Sequence, residues 1–122
     1  MDIHGNYTQL CMDENGVGVW SKVQDKDGKD TSGHSYLIGH EERSDLDTEI
    51  KFQFGPIKEA GLNGITSEAL LAVLLDRTKT LNNRFPCTEN QEAIMYMQKA
   101  LDAFYARTQN RKARGVEGFN KV

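Results

Sequence analysis

Apolar and polar positions follow two different periods along this chain. Up to about residue 55 the apolar residues come in short runs separated by turn-forming residues, and beyond it they recur every three or four positions. The first half therefore predicts strands and the second half helices. In YTQLCMDENGVGVWSKVQ, Asn15-Gly16 stands between two strand-like runs, a strong short-range hairpin signal. DKDGKD (25–30) predicts a second turn centred on Asp27-Gly28, and HSYLIGH (34–40) a further short strand. HEERSDLDTE (40–49) is acidic and predicts a surface loop or a single helical turn. In EIKFQFG (49–55), Ile50, Phe52 and Phe54 alternate with Lys51 and Gln53, the period of a half-buried strand. Together these runs predict a small antiparallel sheet.

The second half predicts a helical hairpin. Thr66 or Ser67 can cap a helix that runs to about Asn83. NRFPC then breaks it, because Pro86 cannot continue a helix and pushes Phe85 into an extended conformation. TENQ (88–91) matches a capping box, with Thr88 reaching the Gln91 amide and Gln91 reaching back. From there Ile94, Met97, Leu101, Phe104, Tyr105 and Thr108 form a stripe along a long second helix, and Gly115 suits its C-terminal stop. The fold class is α+β, an N-terminal antiparallel β-sheet followed by a C-terminal two-helix hairpin. The expected organisation is a single domain over residues 1–122, with the sheet in 1–55 and the helical hairpin in 56–122.

Composition narrows the class. A chain of 122 residues with 38% apolar and 27% charged residues has the balance of a soluble globular domain. The longest apolar run, ALLAVLL (69–75), is too short to cross a bilayer, and MDIHGNY lacks the regions of a signal peptide. Two cysteines, Cys11 and Cys87, do not make a disulfide framework, so a reducing cytoplasm is the expectation.

Charge changes the picture more. The net charge is −3, yet from Ala100 onward Arg107, Arg111, Lys112, Arg114 and Lys121 outnumber Asp102 and Glu117. A basic terminus on an acidic body argues against general nucleic-acid binding, which wants a broad positive field. It suits a small anionic ligand. Within RTQNRKARGVEG (107–118), Arg107, Arg111 and Arg114 follow i, i+4, i+7 spacing and share one helix face, about a quarter turn from the apolar stripe. Spacing alone leaves two readings open. Cations near a helix C-terminus complement the macrodipole, by about 0.3–1 kcal/mol each. Alternatively, the planar guanidinium fork recognises phosphate through bidentate, charge-assisted hydrogen bonds.

Two further features stand out. Phe85 lies at the tip of the predicted hairpin, either as a staple that packs under the loop or into an oligomer interface, or as a stacking platform for a nucleobase. Asn90, a turn further on, is either an ordinary first-turn residue or a reader of a base edge or ribose. FGPIKEAGLNGIT (54–66), with Gly55, Pro56, Gly61 and Gly64, is either a plain connection or a loop that lets a ligand approach the backbone. Enzyme signals are poor. His4, His34, His40, Cys11 and Cys87 lack metal-ligand spacing, and no nucleophile elbow or paired catalytic carboxylates appear. Trp20 and Tyr36 read as sheet-core residues. No catalytic residue, metal or cofactor is expected.

The second half also resembles a known family. QFGPIKEAGLNG, DRTKTLNNRFPCTEN and RTQNRKARGVEG are similar to the helical-hairpin domain shared by two groups of bacteriophage counter-defence sponges. One group, the anti-CBASS cyclic-nucleotide sponges, is essentially all helix. The other, the first type of Thoeris anti-defence protein, carries an N-terminal antiparallel sheet, and this chain looks like that group. The resemblance covers roughly residues 50–120.

It implies a phage protein of the host bacterial cytoplasm that binds and sequesters glycocyclic ADP-ribose, the signal of TIR-domain enzymes, without cleaving it. It further implies homodimers with two pockets at the dimer interface, assembled in some members into hexamers as trimers of dimers. Some hexamers are similar to the anti-CBASS sponges in accepting cyclic di- or trinucleotides at separate sites. By the same resemblance Phe85 would stack on the base and Asn90 would bond base or ribose. Arg107 and Arg111 would take the phosphates, Arg114 would be a third cation, and Trp20, Lys22 and Gly55 would be walls. The rival functions are a small nucleic-acid-binding protein using the basic helix and a hydrolase of the same signal.

Overall fold

A computed structural model describes residues 5–115. Its element order is β1 (Tyr7–Met12), β2 (Val17–Lys22), β3 (Ser35–His40), a 3-10 turn (Ser44–Leu46), β4 (Thr48–Lys51), α1 (Ile57–Ala60), α2 (Ser67–Arg84) and α3 (Thr88–Ala113). The α+β reading holds. The chain separates into two compact units, residues 1–54 and residues from 55 onward.

In the first unit the four strands form one antiparallel meander in the order β1-β2-β3-β4. The β1–β2 hairpin turns where Asn15-Gly16 predicts it. The Asp13 carboxylate accepts the Asn15 and Val17 amides at 2.9 and 3.0 Å, which satisfies the turn backbone locally. The 25–30 turn repeats the device: Asp25 accepts the Asp27 and Lys29 amides at 2.8 and 2.9 Å. The Lys29 amide bond, partly opposed by desolvation, holds the Asp25 carboxyl below its ordinary value. This turn therefore keeps its bonds across neutral pH and loosens only as pH falls through that lowered value.

Trp20 is 4% exposed and anchors the sheet core, as its sequence position predicts; Tyr36 is half-buried and meets Phe52 edge-on, ring centroids 5.8 Å apart. Gly18 is the necessary neighbour of Trp20. A Cβ at Gly18 would lie 2.7 Å from the Trp20 ring and 3.0 Å from the Cys11 carbonyl oxygen. Gly18→Ala should therefore destabilise the protein by about 1–3 kcal/mol through overpacking, measured by urea unfolding.

The strand expected over 49–55 ends early, at Lys51. Its partner β3 begins at Ser35, so Phe52 adds one bond, donating to the His34 carbonyl at 2.7 Å. Beyond it Phe54 leaves the ladder and stacks on His34, ring centroids 4.0 Å apart, with Lys29 Nζ 4.7 Å above the Phe54 ring. The acidic 40–49 stretch contains the single helical turn expected there.

In the second unit α2 and α3 pack as a hairpin. The Thr66 hydroxyl accepts the Ala69 amide at 3.1 Å and caps α2, as its sequence predicts. The cap of α3 differs from the expected box. Cys87 is the N-cap, its Sγ accepting the Asn90 amide at 3.4 Å, and Thr88 is already helical. The reason lies one residue upstream. Cys87 is extended after Pro86 (φ −154, ψ 159), so the helix starts directly after it, a position earlier than a Thr88 cap requires. Arg114 is the C-cap, and Gly115 follows at φ 70, the left-handed stop anticipated for it. Only Leu75 and Leu101 are fully buried in this unit among the described residues.

Candidate ligand-binding site

The hairpin has two ends of different chemistry. At the turn end, Phe85 stands 74% exposed between α2 and α3, with Asn90 half-buried in the first turn of α3. An aromatic ring this exposed is no staple under the loop. At the other end, α3 outruns its partner: it has 26 residues against 18 in α2. Counting back from the turn, Ser67 lies level with about Tyr105, so the last turns of α3 extend past the start of α2. Arg107, Arg111 and Arg114 all sit on that extension.

The arginines do not share one environment. Arg107 and Arg114 are exposed, whereas Arg111 is half-buried. Leu101 is buried and Thr108, seven residues on, is half-buried. Arg111, one turn further, is half-buried too and so lies nearer the apolar stripe than Arg107 and Arg114 do, whereas Phe104 is 37% exposed. Arg107 and Arg114, seven apart, form the exposed edge. The expectation that all three lie a quarter turn from the stripe therefore holds for two of them. The macrodipole favours Arg111 and Lys112, which lie in the last turn of α3. It does not account for Arg107, almost two turns inside the helix end.

The remaining expected residues lie elsewhere. Gly55 has φ 83, and a Cβ there would lie 3.0 Å from the Ala60 Cβ, so the position needs glycine to let α1 fold back on it. The segment 54–66 is thus more than a plain connection, because it contains α1 between Gly55 and Gly61. Trp20 and Lys22 belong to the sheet unit: Trp20 is buried and Lys22 is half-buried on the same strand. His4 lies outside the described residues, and no cluster of His, Cys, Asp or Glu among the described residues could hold a metal ion.

One distance organises these positions. Asn90 and Arg107 are 17 residues apart on one continuous helix, about 26 Å along its axis, and Phe85 lies farther still. Phe85 with Asn90 and the three arginines therefore occupy opposite ends of one hairpin. Helical rise alone, applied to the sequence, could have found this separation. Large apolar side chains between them are exposed on both helices, on more than one face: Val73 is 63% exposed and Leu74 47% on α2, Tyr96 61% and Tyr105 50% on α3.

The sequence model of the family described as Acb2/Tad1, hairpin domain, matches residues 44–109, more than half of the chain. The chain belongs to this family. The match includes Gly55, Phe85, Asn90 and Arg107, while Arg111 and Arg114 lie just beyond it and Trp20 and Lys22 before it. A member named Thoeris anti-defense 1, from Bacillus phage SBSphiJ7, is 41% identical over 70 residues. That stretch is 57% of this chain and 49% of the relative, so the chain spans about half the length of the curated relative it matches. The family match begins at the 3-10 turn, inside the sheet unit, earlier than the hairpin alone requires.

Proposed function

We propose that this protein is a bacteriophage counter-defence sponge that binds and sequesters glycocyclic ADP-ribose in the host bacterial cytoplasm, without cleaving it. The observation that carries this reading is the arginine-bearing extension of α3 in a hairpin of the Acb2/Tad1 family. The printed name of the Bacillus phage relative supports an anti-Thoeris role. Sequestration would starve the effector of its activator.

The pocket follows from the 26 Å separation. A base and its pyrophosphate do not span the length of a hairpin, so Phe85 and Asn90 of one copy work with Arg107 and Arg111 of a second copy lying antiparallel. Two identical pockets result from one two-fold axis. Exposed apolar side chains along the hairpin, Val73 and Leu74 on α2 among them, support this homodimer, since a second copy would take those on the face it covers out of water. Trimers of such dimers would make a hexamer, with separate sites for cyclic di- or trinucleotides. Arg114 and Gly55 are further candidate contacts of the hairpin unit.

Tight binding needs no reactive group. A cyclic ligand is already rigid, so little ordering is lost on capture. Each charge-assisted arginine bond contributes about 1.5–3 kcal/mol, and a stacked base about 1–3 kcal/mol. Two bidentate arginines, four such bonds, with one stacked base sum to about 7–15 kcal/mol, a range that includes the roughly 12 kcal/mol of nanomolar affinity.

Incubation with glycocyclic ADP-ribose, followed by heat denaturation, tests the reading. Intact signal should return to solution in an amount matching the protein. A cleaved product would replace the sponge with a hydrolase. Absence of uptake, together with steeply salt-dependent binding to DNA or RNA, would favour the nucleic-acid reading instead.

A further inference from the structure

The backbone around Phe85 is held by side chains that no site assignment has included. Residues 85–87 separate α2 from α3, and Pro86 has no amide hydrogen, so the segment has two backbone donors to satisfy. The Phe85 amide donates to the Leu81 carbonyl at 2.8 Å. The Cys87 amide donates to Asn82 Oδ1 at 3.1 Å, across the proline. Cys87 then accepts the Asn90 amide on its Sγ at 3.4 Å. One chain of bonds, Asn82 to Cys87 to Asn90, thus ties the last turn of α2 to the first turn of α3 and brackets Phe85.

We infer that Asn82 is a positioning residue for the Phe85 platform, setting the affinity for the nucleobase through the Cys87 amide. The inference rests on the reading of Phe85 as a base-stacking residue. A ring 74% exposed is not oriented by packing in its own chain. Its direction is set by the backbone at Phe85 and Cys87, and Asn82 fixes that backbone from the helix side. Without the acceptor, the Cys87 amide turns toward water and the segment samples several conformations. Only a fraction of these present the ring to a base, so apparent affinity falls by that fraction. Cys87 acts in series: it passes the constraint to Asn90, the second residue assigned to the base or ribose.

Calorimetry with glycocyclic ADP-ribose, together with amide hydrogen exchange, tests this on Asn82→Ala, Asn82→Asp and Phe85→Ala. Asn82→Ala should bind about tenfold more weakly and exchange the Cys87 amide faster, with helical circular dichroism unchanged. Asn82→Asp retains an acceptor of the same shape and should restore both affinity and slow exchange. In a Phe85→Ala background, Asn82→Ala should add clearly less than its tenfold effect in the parent, because the platform is gone and only the constraint passed to Asn90 remains. Asn82→Gln, which displaces the acceptor by one methylene, should reproduce the loss should Asn82→Ala fold poorly.

Weaker binding by Phe85→Ala with unchanged binding by Asn82→Ala overturns the inference and leaves the stacking reading standing. Equal losses in Asn82→Ala and Asn82→Asp also overturn it, since the acceptor would then not be the cause. Unchanged binding by Phe85→Ala removes the stacking reading and the inference with it.

Discussion

Arg107→Glu should weaken binding of glycocyclic ADP-ribose by at least about 100-fold, while the protein stays folded and keeps its oligomeric mass. Arg107 is exposed, so its replacement leaves no cavity and no buried group without a partner. Two terms add against the ligand. A charge-assisted bond contributing about 1.5–3 kcal/mol is lost, and a carboxylate now faces the pyrophosphate. Arg107→Lys separates them, because it keeps the charge and loses the planar fork, and it should fall between the parent and the glutamate variant. Calorimetry at two salt concentrations is the measurement: the remaining affinity of Arg107→Lys should weaken with salt more than that of Arg107→Glu. Equal affinity for Arg107→Glu and the parent would show that the extension of α3 is only a solvated helix end.

Phe85→Ala should reduce affinity by about 10- to 100-fold, the range of one lost stacked base, and Phe85→Trp should retain it. Its greater value is in mixing. The two ends of one hairpin are about 26 Å apart, so a pocket within a single copy and a pocket shared by two copies make opposite forecasts. If Phe85 →Ala and Arg107→Glu chains are unfolded together and refolded as mixed dimers, the shared pocket predicts recovery. In each mixed dimer one pocket joins both altered positions and the other joins two intact ones. Random pairing then restores about one pocket in four at parental affinity. A pocket confined to one chain predicts no recovery in any proportion. Absence of high-affinity sites in the mixture, with mixed dimers present by mass, would therefore rule out the shared arrangement.

These two variants probe positions that differ in how readable they are from the sequence. Pro86 signals the helix break at Phe85, but the sequence left its ring open between a packed staple and a stacking platform, and its 74% exposure comes from the structure. Gly115 after the arginines signals where the helix stops. Arg111 carried a misleading signal. Its spacing from Arg107 suggested one cationic face, but it also follows buried Leu101 and half-buried Thr108 along the apolar stripe, and it is half-buried itself. Both periods are present in the same stretch, and the half-burial of Arg111 shows which one packing follows. The cap of α3 was displaced by a similar competition. TENQ satisfies the capping box locally, yet the Asn82 side chain takes the Cys87 amide and the thiol of Cys87 caps the helix.

By itself, the sequence determined the order and kind of the elements: four strands, a proline-broken helical hairpin and a basic helix end. Each is specified by contacts within a few residues, through alternation, three-to-four spacing, turn carboxylates and helix stops. Only the tertiary structure decided how those elements align. That Arg111 is half-buried while Arg107 and Arg114 are exposed, and that Asn82 reaches across Pro86 to the Cys87 amide, depend on which side chains meet in the folded chain. Such meetings join residues distant in sequence, or compete with equally favourable local pairings, so no local pattern records them.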